Sequence, residues 1–180
     1  HHLHLRYVPL DTLLDGILQV DVPLQEMLPL EWEMVHLEFS PASVILDLLD
    51  HVYLSSRDVF YDLGSGLGHV ALLVSLLTDA QVRGVEREPA YYTFARGRIR
   101  SLCLSSVVFE NLEARDACYD DGTLFYLFSP FVGGILQTVL DRLREQATRR
   151  VIRVCSCGSS TLDIHQERWL RPIHGDAGHD

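Results

Sequence analysis

The sequence contains no lysine and is short of positive charge. Its 180 residues carry 15 basic side chains, all of them arginine, against 25 acidic ones, and the net charge is −10 at pH 7. A protein that binds nucleic acid mainly through phosphate contacts needs many uncompensated cations. The charge balance therefore disfavours a nucleic-acid substrate.

Long apolar runs are also absent. No uninterrupted apolar stretch reaches the ~18 to 20 residues that a membrane-spanning helix needs, and the first residues lack the order of a signal peptide. We therefore expect no membrane partner and a cytoplasmic location. Nothing in the sequence predicts an oligomeric state.

Cysteine is scarce, and its spacing is uninformative for metals. None of Cys103, Cys118, Cys155 and Cys157 shows the paired spacing of a zinc site, and the last two are too close for a relaxed disulfide. No two histidines flank an acid as they do in helical zinc motifs. We expect no metal, and buried thiols in a reducing compartment.

The sequence contains enough apolar residues for one hydrophobic core, and its predicted strands and helices alternate along the chain. At 47% hydrophobic, the chain can bury one substantial core. Strands are predicted at 58–63, 82–86, 107–110, 123–128 and 150–155, with helices at 68–78, 89–104 and 132–147. This alternation is typical of a doubly wound α/β sheet.

The part before the first strand is less regular. Ser40 is predicted to be the N-cap of a helix that ends at Val52, with Pro41 at the first helical position. A short helix is expected at 11–20. These elements would form an extension at the start of the chain.

A glycine-rich turn follows the first predicted strand. The strand ends in Asp62, and Gly64, Gly66 and Gly68 alternate after it. Glycines permit positive φ and bring bare amides against a ligand. Glu86 ends the next strand, where doubly wound folds place an acid that holds both ribose hydroxyls. The pattern indicates a nucleotide-type cofactor.

Two cofactors suit this architecture. A dinucleotide fingerprint that starts at Gly64 fails at His69, and one that starts at Gly66 and ends at Ala71 matches only formally. The fingerprint that starts at Gly66 would also place a pyrophosphate near Asp62. A carboxylate at this position suits a cationic ligand group, such as an amino group. An NAD-dependent oxidoreductase remains the alternative.

Asp62-x-Gly64-x-Gly66-x-Gly68 with Glu86 resembles the first two motifs of class I S-adenosylmethionine-dependent methyltransferases. The resemblance implies S-adenosyl-L-methionine as cofactor and a Rossmann-like, mostly parallel sheet over 41–180, after a helical or irregular extension at 1–40 that includes a cofactor-covering segment. Asp62 would lie near the methionine amino group, and Glu86 would bind the ribose. The methionine portion would lie against Gly64, Ser65, Gly66 and Gly68.

The same resemblance extends to two further segments. In this class an acid after the third strand approaches the adenine amino group, and Asp116 is that candidate here, with Ala117 or Cys118 against the ring. The alternative is that Asp116 caps a turn. The stretch 34–41 is similar to the segment before the glycine motif in the non-SET lysine methyltransferases of the telomeric-silencing-disruptor type and their bacterial relatives. This similarity implies that Phe39 covers the cofactor, where those families usually have tyrosine.

The candidate catalytic residues are Ser129, Pro130 and Phe131, which follow the fourth strand. Amino-group methyltransferases often carry Asn or Asp, then proline and an aromatic residue, at this place. A prolyl turn exposes carbonyls that accept hydrogen bonds from an amine, and an aromatic face stabilises cationic character. An amino group of a protein or small molecule is therefore the favoured acceptor. Because Ser129 lacks the amide oxygen, a non-catalytic cofactor-binding module is a further alternative.

Overall fold

The computed structural model describes residues 12, 16, 26–29 and 31–173. Apart from the single positions 12 and 16, the helix expected at 11–20 lies outside these residues. The strands are β1 (Val59–Leu63), β2 (Gln81–Val85), β3 (Val107–Glu110), β4 (Leu124–Phe128) and β5 (Arg153–Cys157). The helices are α1 (Ala42–His51), α2 (His69–Leu77), α3 (Pro89–Ser101), α4 (Gly133–Ala147) and α5 (Thr161–His165).

The five strands form one sheet in the order β3-β2-β1-β4-β5, and every neighbouring pair is parallel. The doubly wound α/β prediction is therefore confirmed. Strand order reverses between β1 and β4, and in open α/β sheets this reversal opens a crevice at the carboxyl ends of the strands. The loops after β1 and β4 thus face a natural ligand position.

Both faces of the sheet are buried, which explains the apolar strand sequences. Phe60 and Leu124 belong to a core cluster that includes side chains of α1 and α2. The next residues along the strands, Tyr61 and Phe125, point to the opposite face and pack with side chains of α4. None of the helices in the described ranges is long and apolar enough to cross a membrane.

The predicted start of α1 is wrong in detail. Pro41, not Ser40, occupies the N-cap, and no side chain caps the helix. The hydroxyl of Ser40 instead lies 2.9 Å from the hydroxyl of Tyr126, and Ser40 is buried. A contact with β4, far away in sequence, therefore replaces the expected local cap.

The last strand begins at Arg153, three residues later than predicted. Arg150 belongs to the turn that ends α4, because its amide donates to the carbonyl of Gln146. Its guanidinium donates to the carbonyls of Tyr119 and Gly122. The apolar residues between 150 and 155 do not reveal these contacts.

Candidate active site

A cleft opens at the carboxyl edge of the sheet, where open α/β folds bind their ligands. Residues 26–29 and 31–38, which we call the covering segment, contribute Glu26, Leu28, Pro29 and 34–38 to its wall. The remaining lining residues are Gly64, Gly66, 85–88, Tyr91, 112–114, 128–131 and Ile135. The loops after β1, β2, β3 and β4 therefore all meet the covering segment in one cleft.

The glycine loop adopts the positive backbone angles that its sequence predicts. The φ angles of Gly64, Gly66 and Gly68 are 76°, 52° and 85°. A Cβ on Gly64 would lie 2.2 Å from Cβ of Pro130, and one on Gly66 would lie 2.5 Å from Cδ1 of Leu37. Gly64 is therefore required both by its backbone angle and by the close approach of Pro130, whereas at Gly66 the positive φ is what favours glycine, because the end of the Leu37 side chain can move.

Glu86 holds the glycine loop in place. Its Oε2 accepts a hydrogen bond from the Gly66 amide at 2.7 Å, and its Oε1 accepts one from the Glu88 amide at 2.7 Å. Burial raises the pKa of the Glu86 carboxyl, and these hydrogen bonds oppose the shift. A carboxylate has roughly four acceptor positions, so capacity remains for two hydroxyl donors.

Asp62 lies on β1 just before the loop and is almost fully buried. It accepts a hydrogen bond from the Ala71 amide at 3.2 Å. Desolvation, with a smaller contribution from Glu86, raises the pKa of Asp62 to about 7. Although Asp62 does not line the cleft, a nearby cationic ligand group would stabilise its charged form.

Ser65 and Gly68 belong to the glycine loop, but neither residue lines the cleft. Gly68 is the N-cap of α2, and the Cβ of any other residue there would lie 2.6 Å from Cζ of Phe109. The buried Ser65 hydroxyl has no hydrogen-bond partner among the described residues. The predicted contacts of these two residues with the cofactor stay predictions.

Phe39, Asp116 and Ala117 lie outside the cleft wall. The Phe39 ring centroid is 4.4 Å from that of His69, and the side chain is 44% exposed. Asp116 is exposed in a turn whose backbone bonds to Glu113, whereas Ala117 is buried in the core. Their predicted roles, covering the cofactor and contacting adenine, remain untested.

The three candidate catalytic residues lie together in the cleft. Ser129 has a φ of 45°, and its hydroxyl donates to the carbonyl of Cys157 at 3.1 Å and accepts from the Ser160 amide at 3.3 Å. The carbonyl of Pro130 accepts a hydrogen bond from the Val35 amide. The polar groups of the turn therefore bind the chain itself, while the buried Phe131 lines the wall.

The sequence analysis missed the two residues that follow Glu86. Arg87 joins the covering segment to the loop after β3: its side chain is 3.2 Å from both Glu31 and Glu113. Glu88 accepts hydrogen bonds from the amides of Met27 and Leu28. Their place directly after the carboxyl end of β2 was the signal, since loops at this edge line the site.

Residues 33–102 match the family model described as Histone methylation protein DOT1. The match begins in the covering segment and includes the glycine loop and Glu86. It confirms the predicted relation to the telomeric-silencing-disruptor type. No curated protein matches the chain.

Methyltransferases of several kinds are among the solved structures with a similar fold. The chain is similar to an RNA methyltransferase from Salinibacter ruber in complex with S-adenosyl-L-homocysteine, with a TM-score of 0.55 and 24% identity over 61% of this chain and 71% of that one. A geranyl diphosphate C-methyltransferase from Streptomyces coelicolor, also in complex with S-adenosyl-L-homocysteine, gives a TM-score of 0.51 and 20% identity over 62% and 42% of the two chains.

A precorrin-6y C5,15-methyltransferase from Geobacter metallireducens gives a TM-score of 0.52 and 22% identity over 60% of this chain and 57% of that one. The chain thus spans less than two thirds of the last two proteins. At these identities the likeness concerns the fold, and the sequence match adds the relation to DOT1. In its fold and in its match over residues 33–102, the chain is similar to the class I S-adenosylmethionine-dependent methyltransferases.

Proposed function

We propose that the chain binds S-adenosylmethionine in this cleft and transfers the methyl group to an amino group of a protein or a small molecule. The observation that carries the proposal is the meeting of Glu86, the glycine loop and the Ser129–Phe131 turn in one cleft. These segments lie far apart in the sequence. Their convergence at the carboxyl edge of a parallel sheet supports a cofactor site beside an acceptor site.

The residues present suit the proposed cofactor. Glu86 retains acceptor capacity for ribose hydroxyls, because the amides of Gly66 and Glu88 engage two of its roughly four acceptor positions and the Arg87 amide adds a weaker interaction. Asp62 is a buried carboxylate with a raised pKa, and the cofactor's amino group would stabilise its charged form. S-adenosylmethionine would therefore supply hydroxyl donors to Glu86 and a positive charge beside Asp62.

Bound S-adenosylmethionine would supply an activated methyl group on its sulfonium, so the protein needs mainly to align the acceptor and exclude water. Phe131 is buried in the wall, and Met34 of the covering segment forms an antiparallel bridge with it. Together they provide an apolar surface for the acceptor side of the cleft. No dedicated acid or base is required for an acceptor that is already uncharged.

The charge of the cleft supports an amine acceptor. Five of its lining residues are glutamates and one is an arginine, Arg87, which is paired with Glu31 and Glu113. A negative cleft concentrates cationic ligands. A cationic amine must lose a proton before it attacks, and His36, which lines the cleft, is a candidate to receive it.

A methyl-transfer screen tests this proposal. Cell extract is incubated with methyl-labelled S-adenosylmethionine and the protein, and is then separated into protein, nucleic acid and small molecules. We expect label in an amine of the protein or small-molecule fraction. Label confined to nucleic acid would overturn the acceptor class. Tight binding of S-adenosylhomocysteine without any transfer would favour a non-catalytic module.

A further inference from the structure

A second buried carboxylate, Glu88, lines the same cleft and has no part in the mechanism described above. It accepts hydrogen bonds from two consecutive amides of the covering segment, those of Met27 and Leu28, both at 2.9 Å. It also accepts one from the Ala90 amide at 3.2 Å, as the N-cap of α3. One side chain thus serves both a local helix and a distant segment.

Glu88 is connected directly to the acid that is proposed to bind ribose. Its own amide donates to Oε1 of Glu86, whose Oε2 holds the Gly66 amide. A continuous chain of short contacts therefore runs from the glycine loop through both glutamates to the covering segment. A shift of the covering segment would therefore disturb the hydrogen bonds of Glu86.

Hydrogen bonds from two neighbouring residues also hold the covering segment. The hydroxyl of Tyr91 donates to Glu26 at 2.8 Å, and Arg87 donates to the carbonyl of Pro29 at 3.2 Å. Glu88 differs in that one buried carboxylate accepts hydrogen bonds from two consecutive amides of the segment. Each of these contacts involves a charged group and so belongs to the stronger kind of hydrogen bond, and Glu88 contributes two of them.

The charge of Glu88 depends on these contacts. Burial by itself would raise its pKa, yet the amides of Met27, Leu28 and Ala90 together hold it below the ordinary value. Without the covering segment, the carboxylate would lose two of its three amide donors beside Glu86 in an acidic cleft. The charged Glu88 carboxylate therefore favours the position in which the covering segment forms a wall of the cleft.

We propose that Glu88 is a positioning residue for methyl transfer, which holds the covering segment across the cleft and so slows release of the cofactor. This inference rests on the proposed function. Glu88 acts through the segment, without a part in the chemistry. Its expected signature is a faster dissociation of cofactor product, with the fold intact.

Two variants separate this role from helix capping. Aspartate is a preferred N-cap residue, so Glu88→Asp keeps the cap of α3, but its carboxylate is one carbon too short to reach both amides of the covering segment. Glu88→Ala removes both functions. Asp58→Asn is the matched control, because Asp58 also accepts a backbone amide, from Ser55, but precedes β1 at the opposite edge of the sheet.

The experiment measures S-adenosylhomocysteine dissociation by stopped flow, and hydrogen exchange in peptides that contain Met27 and Leu28. For Glu88→Asp we expect dissociation about 10-fold faster, a change that corresponds to about 1.4 kcal/mol and is of the order expected when hydrogen bonds to a charged group are lost. The same variant should exchange faster at both amides, with or without ligand. The control should lower the melting temperature and leave both readouts unchanged.

A dissociation rate and exchange pattern for Glu88→Asp equal to those of the wild type would overturn the inference and leave Glu88 as a helix cap. If the wild-type protein does not bind S-adenosylhomocysteine, the proposed function fails instead. The exchange measurement on the ligand-free protein then still decides whether Glu88 holds the segment. The two failures are therefore distinguishable.

Discussion

The Glu86 carboxylate accepts a hydrogen bond from the Gly66 amide at 2.7 Å, and this contact joins the ends of β2 and β1. The acid that would bind the cofactor's ribose therefore also shapes the loop that would hold its methionine portion. A ligand that engages Glu86 competes with, or shares, its contacts to backbone amides. A hydrogen bond thus links the proposed ribose and methionine parts of the site in the absence of a ligand.

Alanine at Gly64 should destabilise the protein strongly, whereas alanine at Gly97 should not. Gly64 has a φ of 76°, and a Cβ there would meet Pro130. Gly97 lies inside α3, and a Cβ added there would have nothing within 4 Å. We expect Gly64→Ala to lose about 2 kcal/mol or more of unfolding free energy, and Gly97→Ala to gain about 0.5 to 1 kcal/mol. Urea unfolding measures both, and equal effects would contradict the packing described for the loop.

Asp62→Asn should make the ligand-free protein more stable at neutral and higher pH. The pKa of the Asp62 carboxyl is raised from its ordinary value of 3.8 to about 7, so the folded state binds the proton more tightly than the unfolded state. The stability that this provides is complete below the ordinary pKa and is lost as pH rises through the raised one. Asparagine carries no charge at any pH and removes this loss.

Melting temperatures of the two proteins, compared at about pH 4 and about pH 8, check this prediction. The variant should gain on the wild type as pH rises, while its affinity for S-adenosylhomocysteine should fall because the amino group loses its carboxylate. Parallel pH profiles for the two proteins would show that Asp62 is not a desolvated acid in the folded state.

Replacing Ser129 should affect stability more than cofactor binding, because its hydroxyl bonds to the Cys157 carbonyl and the Ser160 amide. Ser129→Ala is expected to cost about 1 to 2 kcal/mol through those lost hydrogen bonds. Ser129→Gly loses the same hydroxyl but relieves the positive φ of 45°, so it should be about 1 kcal/mol less damaging. Chemical unfolding ranks the two variants, and the reverse ranking would argue against backbone strain at this position.

Most of the framework was predictable because each element has a local cause. Apolar strands between glycine-rich or polar turns predicted all five strands, and β1 to β4 agree within one residue with their predicted bounds. The cleft residues at Gly64, Gly66 and Glu86 were found for the same reason: chain order and strand ends determine where they lie. Ser40 failed because its partner, Tyr126, is far away in the sequence.

The covering segment could not be read from local sequence. Its position depends on Glu88, Arg87 and a backbone pairing with the turn after β4, in which the Val132 amide donates to the carbonyl of Glu33. These are contacts between distant segments, and no periodic pattern reports them. Residues 112–114 line the cleft, whereas Asp116, two positions further on, does not.

Calorimetric titration of S-adenosylhomocysteine into the wild-type protein and into Glu86→Ala tests the proposed cofactor site directly. We expect micromolar affinity, about −8 kcal/mol, for the wild type. In the variant, binding should be lost because the ribose contact and the anchor of the Gly66 amide disappear together. Binding of the variant with unchanged affinity would contradict the assignment of this cleft as the cofactor site.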